Sequence, residues 1–307
     1  MASILVTGAS GMIGQYLTSS LLHKKHRVYG IDSKPNDFSS DPNYTFVQCD
    51  ITDKNEITSV ISSNRIDVVV HLANSVDNDI DPLVTDAEIK RGKVCDKFIY
   101  SAASDAGVTS FILLSTTDVY GPQKGREPIR ETTPEKGTSN YAELKITSEK
   151  FMNKAFKKSD TIPVIARVAP VYDAEHTDNL HSHVFDAKDN VGYIFNDGEY
   201  GYTYCCVFNL IDFINGIINV PSGRYEGVYN VCDSRQTTAK EIIAYEKERH
   251  RIGAVIQKNA GAISLNKGKM KTDYRYFDPS LSFNNWTFDN TKAKRIAPMR
   301  WNLGNTK

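Results

Sequence analysis

Ser3-Ile4-Leu5-Val6-Thr7-Gly8-Ala9-Ser10-Gly11-Met12-Ile13-Gly14 decides the fold. Ser3–Thr7 is a short apolar run rich in β-branched residues, which predicts a strand. Three glycines follow at G-x-x-G-x-x-G spacing. Met12–His23 then carries apolar residues at Met12, Ile13, Tyr16, Leu17, Leu21 and Leu22, a helical spacing. A strand that turns through glycines into a helix lets backbone approach a pyrophosphate, and the helix N-terminus supplies N–H donors. Gly8, Ser10, Gly11, Met12 and Ile13 are the candidate contacts, and Gly14 lets the helix close on the strand.

The same alternation continues outward. Arg27–Asp32, Thr45–Gln48, Val68–Leu72, Ser110–Ser115 and Ile162–Ala166 read as strands. Between them, Asp53 with Glu56 has the spacing of a helix start, and that helix runs to about Asn64. Ala87–Ala106, stopped by Gly107, and Ser139–Lys157 read as longer helices. Strand and helix in alternation predict an α/β fold, a doubly wound parallel sheet of Rossmann type. Asp32 ends the second strand, where a carboxylate bonds the adenosine ribose hydroxyls of a dinucleotide. Its charge repels a 2′-phosphate, which favours NAD over NADP; Lys34 nearby argues the other way.

After Arg167 the pattern loosens. Residues 1–167 are expected to form the NAD-binding domain, with later segments returning to its sheet. Residues 168–307 form mainly a smaller, irregular α/β lobe for substrate. Turns and polar clusters dominate His176–His183 and Asp186–Gly201. Helical pieces return at Leu210–Val220 and Ala239–His250, and Gly253–Lys271 reads as a mobile loop.

The 307 residues hold 37 Lys+Arg and 37 Asp+Glu, so the formal net charge is +0 and no global basic field exists for nucleic acid. No apolar run approaches the ~20 residues of a membrane span. The 5 Cys are scattered without a C-x-x-C, which argues against a disulfide framework or zinc ribbon and for free thiols in a reducing compartment. Met1-Ala2 leads at once into the first strand, so the chain is expected in the cytoplasm. His176, His181 and His183 cluster without the spacing that completes a metal site. Cys205-Cys206 reads as strand packing, and Trp286 and Trp301 as packing anchors.

Tyr141 and Lys145 lie one turn apart on a predicted helix and share a face. A free phenol, with pKa ~10, is a poor base at neutral pH. A nearby ammonium favours the phenolate, and a tuned Tyr can then move a proton to or from an alcohol oxygen. Thr116 follows the strand Ser110–Ser115, at the strand end where ligands bind in open α/β sheets.

With these motifs the chain resembles the extended short-chain dehydrogenase/reductases, and within them the NAD-dependent epimerase/dehydratase group acting on nucleotide sugars. Thr7–Gly14 matches T-G-x-x-G-x-x-G, and Asp32 the acidic residue after the second strand. Asp50-Ile51 matches the pair beside the adenine, and His71-Leu72-Ala73 the H-x-A segment beside the cofactor. Thr116–Gly121 matches S/T-x-x-V-Y-G, and Tyr141–Lys145 matches Y-x-x-x-K. The resemblance implies a catalytic set of Thr116, Tyr141 and Lys145. It implies an NAD site built from Gly8, Ser10, Gly11, Met12, Ile13, Gly14, Asp32, Asp50, Ile51, Leu72, Ala73, Ser115, Tyr141 and Lys145, with no metal. It also implies a homodimer through the helices at 87–106 and 139–157, although the first is strongly polar and a monomer stays open.

The departures narrow the reading. The group's 4,6-dehydratases carry Asp-Glu after the catalytic Thr, where this chain has Thr117-Asp118, so dehydration is disfavoured. Arg167–Tyr172 resembles R-x-x-N-V-Y with Pro170 in place of Asn. Asn209–Phe213 resembles H-V-D-D-L, which puts Cys205 where many members hold a diphosphate-binding Arg. Arg224, Arg235, Arg275 and Lys271 are the candidate substitutes. Asp289–Ala293 resembles D-x-S-K-A. An NAD-dependent sugar-nucleotide epimerase or 4-keto reductase is therefore expected. A dehydrogenase or reductase of another sugar or alcohol, and a non-catalytic dinucleotide-binding sensor, are the alternatives.

Overall fold

The first unit forms as read: β1 is Ser3–Thr7 and α1 is Met12–His23. The computed structural model describes residues 1–36, 38, 40–73, 84–121, 127–181, 184–186, 190–220, 225–258 and 287–306. Next come β2 (Arg27–Asp32), β3 (Tyr44–Gln48), α2 (Lys54–Ser63) and β4 (Val68–His71). Then follow α3 (Asp86–Asp105), β5 (Ser110–Thr116), α4 (Asn140–Phe156) and β6 (Ile162–Val168).

Side-chain caps set these boundaries. Asp53 accepts from Glu56 N at the start of α2, and Ser139 from Ala142 N at the start of α4. Thr85 and Glu88 close a reciprocal capping box on α3. That helix ends at Ala106, before Gly107 with φ +67°.

Beyond β6 the elements shorten. They are β7 (Val171–Tyr172), α5 (Asp178–His181), β8 (Phe185–Asp186), β9 (Val191–Phe195), β10 (Gly201–Tyr202) and β11 (Cys205–Cys206). Last come α6 (Val207–Ile218), β12 (Gly227–Val231), β13 (Thr237–Thr238), α7 (Ala239–Glu248) and β14 (Ala254–Lys258), with a helical turn at Thr291–Lys294.

Seven strands form one parallel sheet in the order β12-β6-β5-β4-β1-β2-β3. The order reverses between β1 and β4, and ligands of such sheets bind above the strand ends at that point. Alternate residues of each strand feed opposite faces. Ile4, Val6, Val28, Val70 and Ile112 pack with Leu17 and Leu21 of α1 and Phe213 and Ile214 of α6. Leu5, Tyr29, Val69, Phe111 and Leu113 pack with Ile57 of α2, Ile99 and Tyr100 of α3 and Met152 of α4. Burial on both faces explains the unbroken apolar character of β1 and β4.

β12 (Gly227–Val231) returns to the main sheet and pairs with β6. The later half differs from expectation in two places. The helix expected over Leu210–Val220 begins at Val207 and packs on α1. The stretches read as turns hold strands: β9 pairs in parallel with β14, whose residues open the supposed loop Gly253–Lys271. All five residues of β14 are exposed, so burial leaves no periodic signature there. The remainder of that loop, with Arg224, Arg275, Lys271, His183 and Trp286, lies outside the described residues. A third cluster, with Tyr172, Tyr204, Ile242 and Ile243, forms the core of the small lobe. Trp301 packs on Phe208 there, with ring centroids 5.3 Å apart.

Candidate active site

The glycine-rich turn follows β1 at the reversal of strand order. Gly8 has φ +74°, and a Cβ there would lie 2.9 Å from Ala73 N. Both the conformation and the closeness of the β4 exit require glycine. A Cβ on Gly14 would meet Gly8 O at 2.1 Å, so the first turn of α1 sits directly on the turn. Gly11 is the N-cap of α1 without a side-chain cap. Met12, Ile13 and Gly14 thus present their amides at a helix N-terminus, where intrahelical acceptors do not exist.

Asp32 ends β2 and clamps this turn. Its Oδ2 accepts from Ser10 N (3.0 Å) and its Oδ1 from Lys34 N (2.9 Å). Ser10 Oγ donates to Lys34 O (2.6 Å). Each carboxylate oxygen keeps lone-pair capacity for a further donor. Leu72 N donates to Thr7 O, and Ala73 N to Thr7 Oγ1, both at 3.2 Å, which fixes the β4 exit against β1. Asp50 and Ile51 follow β3 at the same end of the sheet. Asp50 Oδ1 accepts from Thr52 N (2.8 Å), and that bond holds its carboxyl below the ordinary value.

Thr116 ends β5 and is 8% exposed. Its Oγ1 accepts from Asp118 N (3.2 Å), capping a one-turn 3-10 helix over Thr117–Tyr120. The hydroxyl proton and one lone pair stay available, and the proton can be offered to a substrate oxygen. Strand alternation turns Ser115 the opposite way, and its hydroxyl donates to Glu149 Oε1 (2.5 Å). Glu149 is bound in turn by Arg167 Nη2 (2.6 Å) and Nε (3.1 Å), and Arg167 also reaches Glu135. Burial opposes the charge on Arg167, but the bonds and charge of Glu149 outweigh it. This buried cluster braces β5, α4 and β6 beneath the site.

The Ser139 cap places Tyr141 in the first turn of α4, packed on Val84, Ile89 and Leu144. Lys145 is 6% exposed, and its Nζ donates to Leu114 O (2.9 Å). The same Nζ lies 5.8 Å from the centroid of the Tyr141 ring. Asp118 is exposed, yet the protein around it desolvates the carboxyl and raises its pKa.

Other expected residues fall elsewhere. Cys205 and Cys206 are fully buried in β11, which pairs with β7, so the place of the diphosphate-binding Arg is an interior thiol. Arg235, one candidate substitute, is bound to both Glu241 oxygens at 2.8 and 3.0 Å. His176 pairs with Asp173 (2.9 Å) and His181 with buried Glu246 (3.4 Å). Among the described residues no group of His, Cys, Asp and Glu is arranged to hold a metal. No helix there is long and apolar enough to cross a membrane. Two networks escaped the sequence reading. One is the Ser115–Glu149–Arg167 cluster, for which Glu149 one turn beyond Lys145 was a usable sign. The other joins His71, Thr7 and Asp96.

Known proteins resemble this arrangement. The chain is 29% identical over 180 residues to the human dTDP-D-glucose 4,6-dehydratase, a match covering 55% of this chain and 51% of that protein. It thus spans about half the length of that relative. It is 28% identical over 268 residues to a UDP-glucose epimerase of Bacillus subtilis described as uncharacterized, covering 78% of this chain and 80% of that one. The fold superposes on the UDP-glucuronic acid 4-epimerase of Bacillus cereus, solved with UDP-glucuronic acid and NAD. The TM-score is 0.74, the identity 20%, and the coverage 99% of this chain and 96% of that one. The UDP-glucose 4-epimerase of Thermotoga maritima superposes with TM-score 0.71 at 20% identity, covering 95% and 91% of the chains. The family model for NAD-dependent epimerases and dehydratases matches residues 4–232, well over half of the sequence, and the chain belongs to that family.

Proposed function

We propose that the protein is an NAD-dependent epimerase or 4-keto reductase of a nucleotide sugar, with Tyr141 as general acid/base. The observation that carries this reading is the placing of a buried ammonium, Lys145, beside the Tyr141 ring at the exit of β5. The turn at Gly8 leaves no room for a Cβ, the first amides of α1 face the strand ends, and Asp32 stands at the exit of β2. These residues fit NAD, which when bound accepts a hydride from a sugar carbon and returns it. Gly8 and the α1 amides hold the pyrophosphate, and Asp32 the adenosine ribose. Lys145 orients the nicotinamide ribose and favours the phenolate of Tyr141. Tyr141 takes the proton of the reacting hydroxyl, and Thr116 donates a hydrogen bond to the same oxygen. The proton returns from Tyr141 when the ketone is reduced. Thr117 is a buried hydroxyl where the dehydratases carry an acid, which argues against water loss.

One observation favours a second reading, a dehydrogenase or reductase of a simpler sugar or alcohol. The buried thiol of Cys205 cannot pair with a diphosphate as a guanidinium does. A panel of nucleotide sugars and free sugars incubated with protein and NAD, followed by proton NMR, separates the two. A new anomeric signal from a nucleotide sugar, absent with Tyr141→Phe, supports the first reading. Turnover of free sugars alone supports the second. No turnover with NAD bound turns the test to keto-sugars with reduced cofactor, and silence there as well leaves a dinucleotide-binding sensor.

A further inference from the structure

His71 ends β4 with 2% of its surface exposed, and Asp96 of α3 is 8% exposed. His71 Nδ1 lies 2.7 Å from Thr7 Oγ1, and Nε2 lies 3.4 Å from Asp96 Oδ1. Thr7 Oγ1 accepts from Ala73 N and keeps its proton and a second lone pair for Nδ1. In the tautomer with Nε2–H donating to the Asp96 carboxylate, Nδ1 accepts from Thr7 and the hydrogen bonds run in one direction from Ala73 N–H. Tyr100 and Phe111 wall the ring, with centroids 6.2 and 5.9 Å away.

Asp96, His71, Lys145, Ser148 and Cys95 line one cavity of about 10 Å³. That is room for about one water. A lysine buried to this degree needs an anion near it to stay charged. We propose that Asp96, oriented by His71, is the buried counter-charge that keeps Lys145 an ammonium. Both are positioning residues: they act on Tyr141 through Lys145. The inference rests on the role given above to Tyr141 and Lys145. Asp96 acts electrostatically on Cys95 and Tyr100 of the same helix; Arg91 of α3 and Asp50 beyond β3 also act on Cys95, and Glu149 of α4 on Tyr100. Burial pushes the Cys95 thiol up to about 11, so Cys95 stays neutral through the working range.

The test follows the titration of the Lys145 side chain by carbon NMR on lysine-labelled protein, with Lys145→Met identifying its signal. Asp96→Asn should lower the Lys145 midpoint by roughly one unit or more, and Asp96→Glu should restore much of it. The alkaline limb of the pH–rate profile should move down with it, because charge on Lys145 is lost at lower pH. Cys95→Ala, which alters the cavity without altering its charge, should leave the midpoint in place. An unmoved Lys145 midpoint in Asp96→Asn overturns the proposal. Should Asp96→Asn fail to fold, the wild-type imidazole decides. Nitrogen NMR must find His71 with its proton on Nε2, and a neutral His71 protonated on Nδ1 overturns the proposal. Loss of the catalytic reading is separable: turnover that survives Lys145→Met defeats the role of Lys145, whatever its titration shows.

Discussion

Lys145 Nζ is tied to the carbonyl of Leu114 at 2.9 Å, which holds the ammonium at the exit of β5 and 5.8 Å from the centre of the Tyr141 ring. Lys145→Met removes the charge and keeps most of the bulk. Turnover should fall by about 10²-fold or more, and the pH limb governed by Tyr141 should move to higher pH. A rate profile unchanged in height and position would show that the ammonium takes no part.

Gly8→Ala tests the turn. The new Cβ would meet Ala73 N at 2.9 Å from a backbone at φ +74°. The left-handed conformation alone costs about 1–2 kcal/mol. The melting temperature should fall by several degrees and the NAD dissociation constant should rise more than tenfold, both read by calorimetry.

Asp32 both clamps the turn and offers charge to a ribose. Asp32→Ala loses two bonds from backbone N–H and a potential partner of the ribose hydroxyls. A hydrogen bond to a charged group contributes about 1.5–3 kcal/mol, so NAD affinity should weaken at least tenfold. NADP affinity should weaken less or improve, because the repelling charge is gone. Equal losses for both cofactors would assign Asp32 to the turn alone.

Asp233 couples the small lobe to pH. It is 4% exposed, and its carboxylate accepts from Cys206 N, Asn209 and Tyr172. Burial outweighs these bonds and pushes its pKa up to about 6. A carboxyl raised on folding contributes stability that is full below the unfolded value near 4 and is lost as pH rises through about 6. Asp233→Asn has no such titration. Between pH 4 and 7 the wild-type melting temperature should therefore fall relative to that of Asp233→Asn. The difference should be on the order of 2–3 kcal/mol, and parallel curves would contradict the assignment.

The sheet and its cofactor turn are legible because they follow from local pattern. The run Ser3–Thr7, the glycines beyond it and the Asp53 cap each announce themselves within a few residues. The strands β9, β12 and β14 do not: β14 is exposed throughout, and the burial of β9 and β12 follows no two-residue alternation. Thr116, Tyr141 and Lys145 stand out through the family resemblance, and the fold places Thr116 at the end of β5 and Tyr141 and Lys145 in the first turns of α4. Asp96 was not found: it meets His71 across 25 positions of chain, a contact made only by packing α3 against the sheet. Cys205 shows the converse, since its alignment was readable but its complete burial was not.

The most direct test of the central claim is Tyr141→Phe, measured for NAD binding and for turnover of whichever nucleotide sugar the wild type converts. The substitution removes one oxygen from a ring packed on Val84, Ile89 and Leu144 and leaves that packing in place. The account predicts an NAD dissociation constant within about threefold of wild type and a turnover number lower by about 10²-fold or more. Turnover preserved in Tyr141→Phe would contradict it, and the proton would have to move through another group, with Asp118 the first to examine.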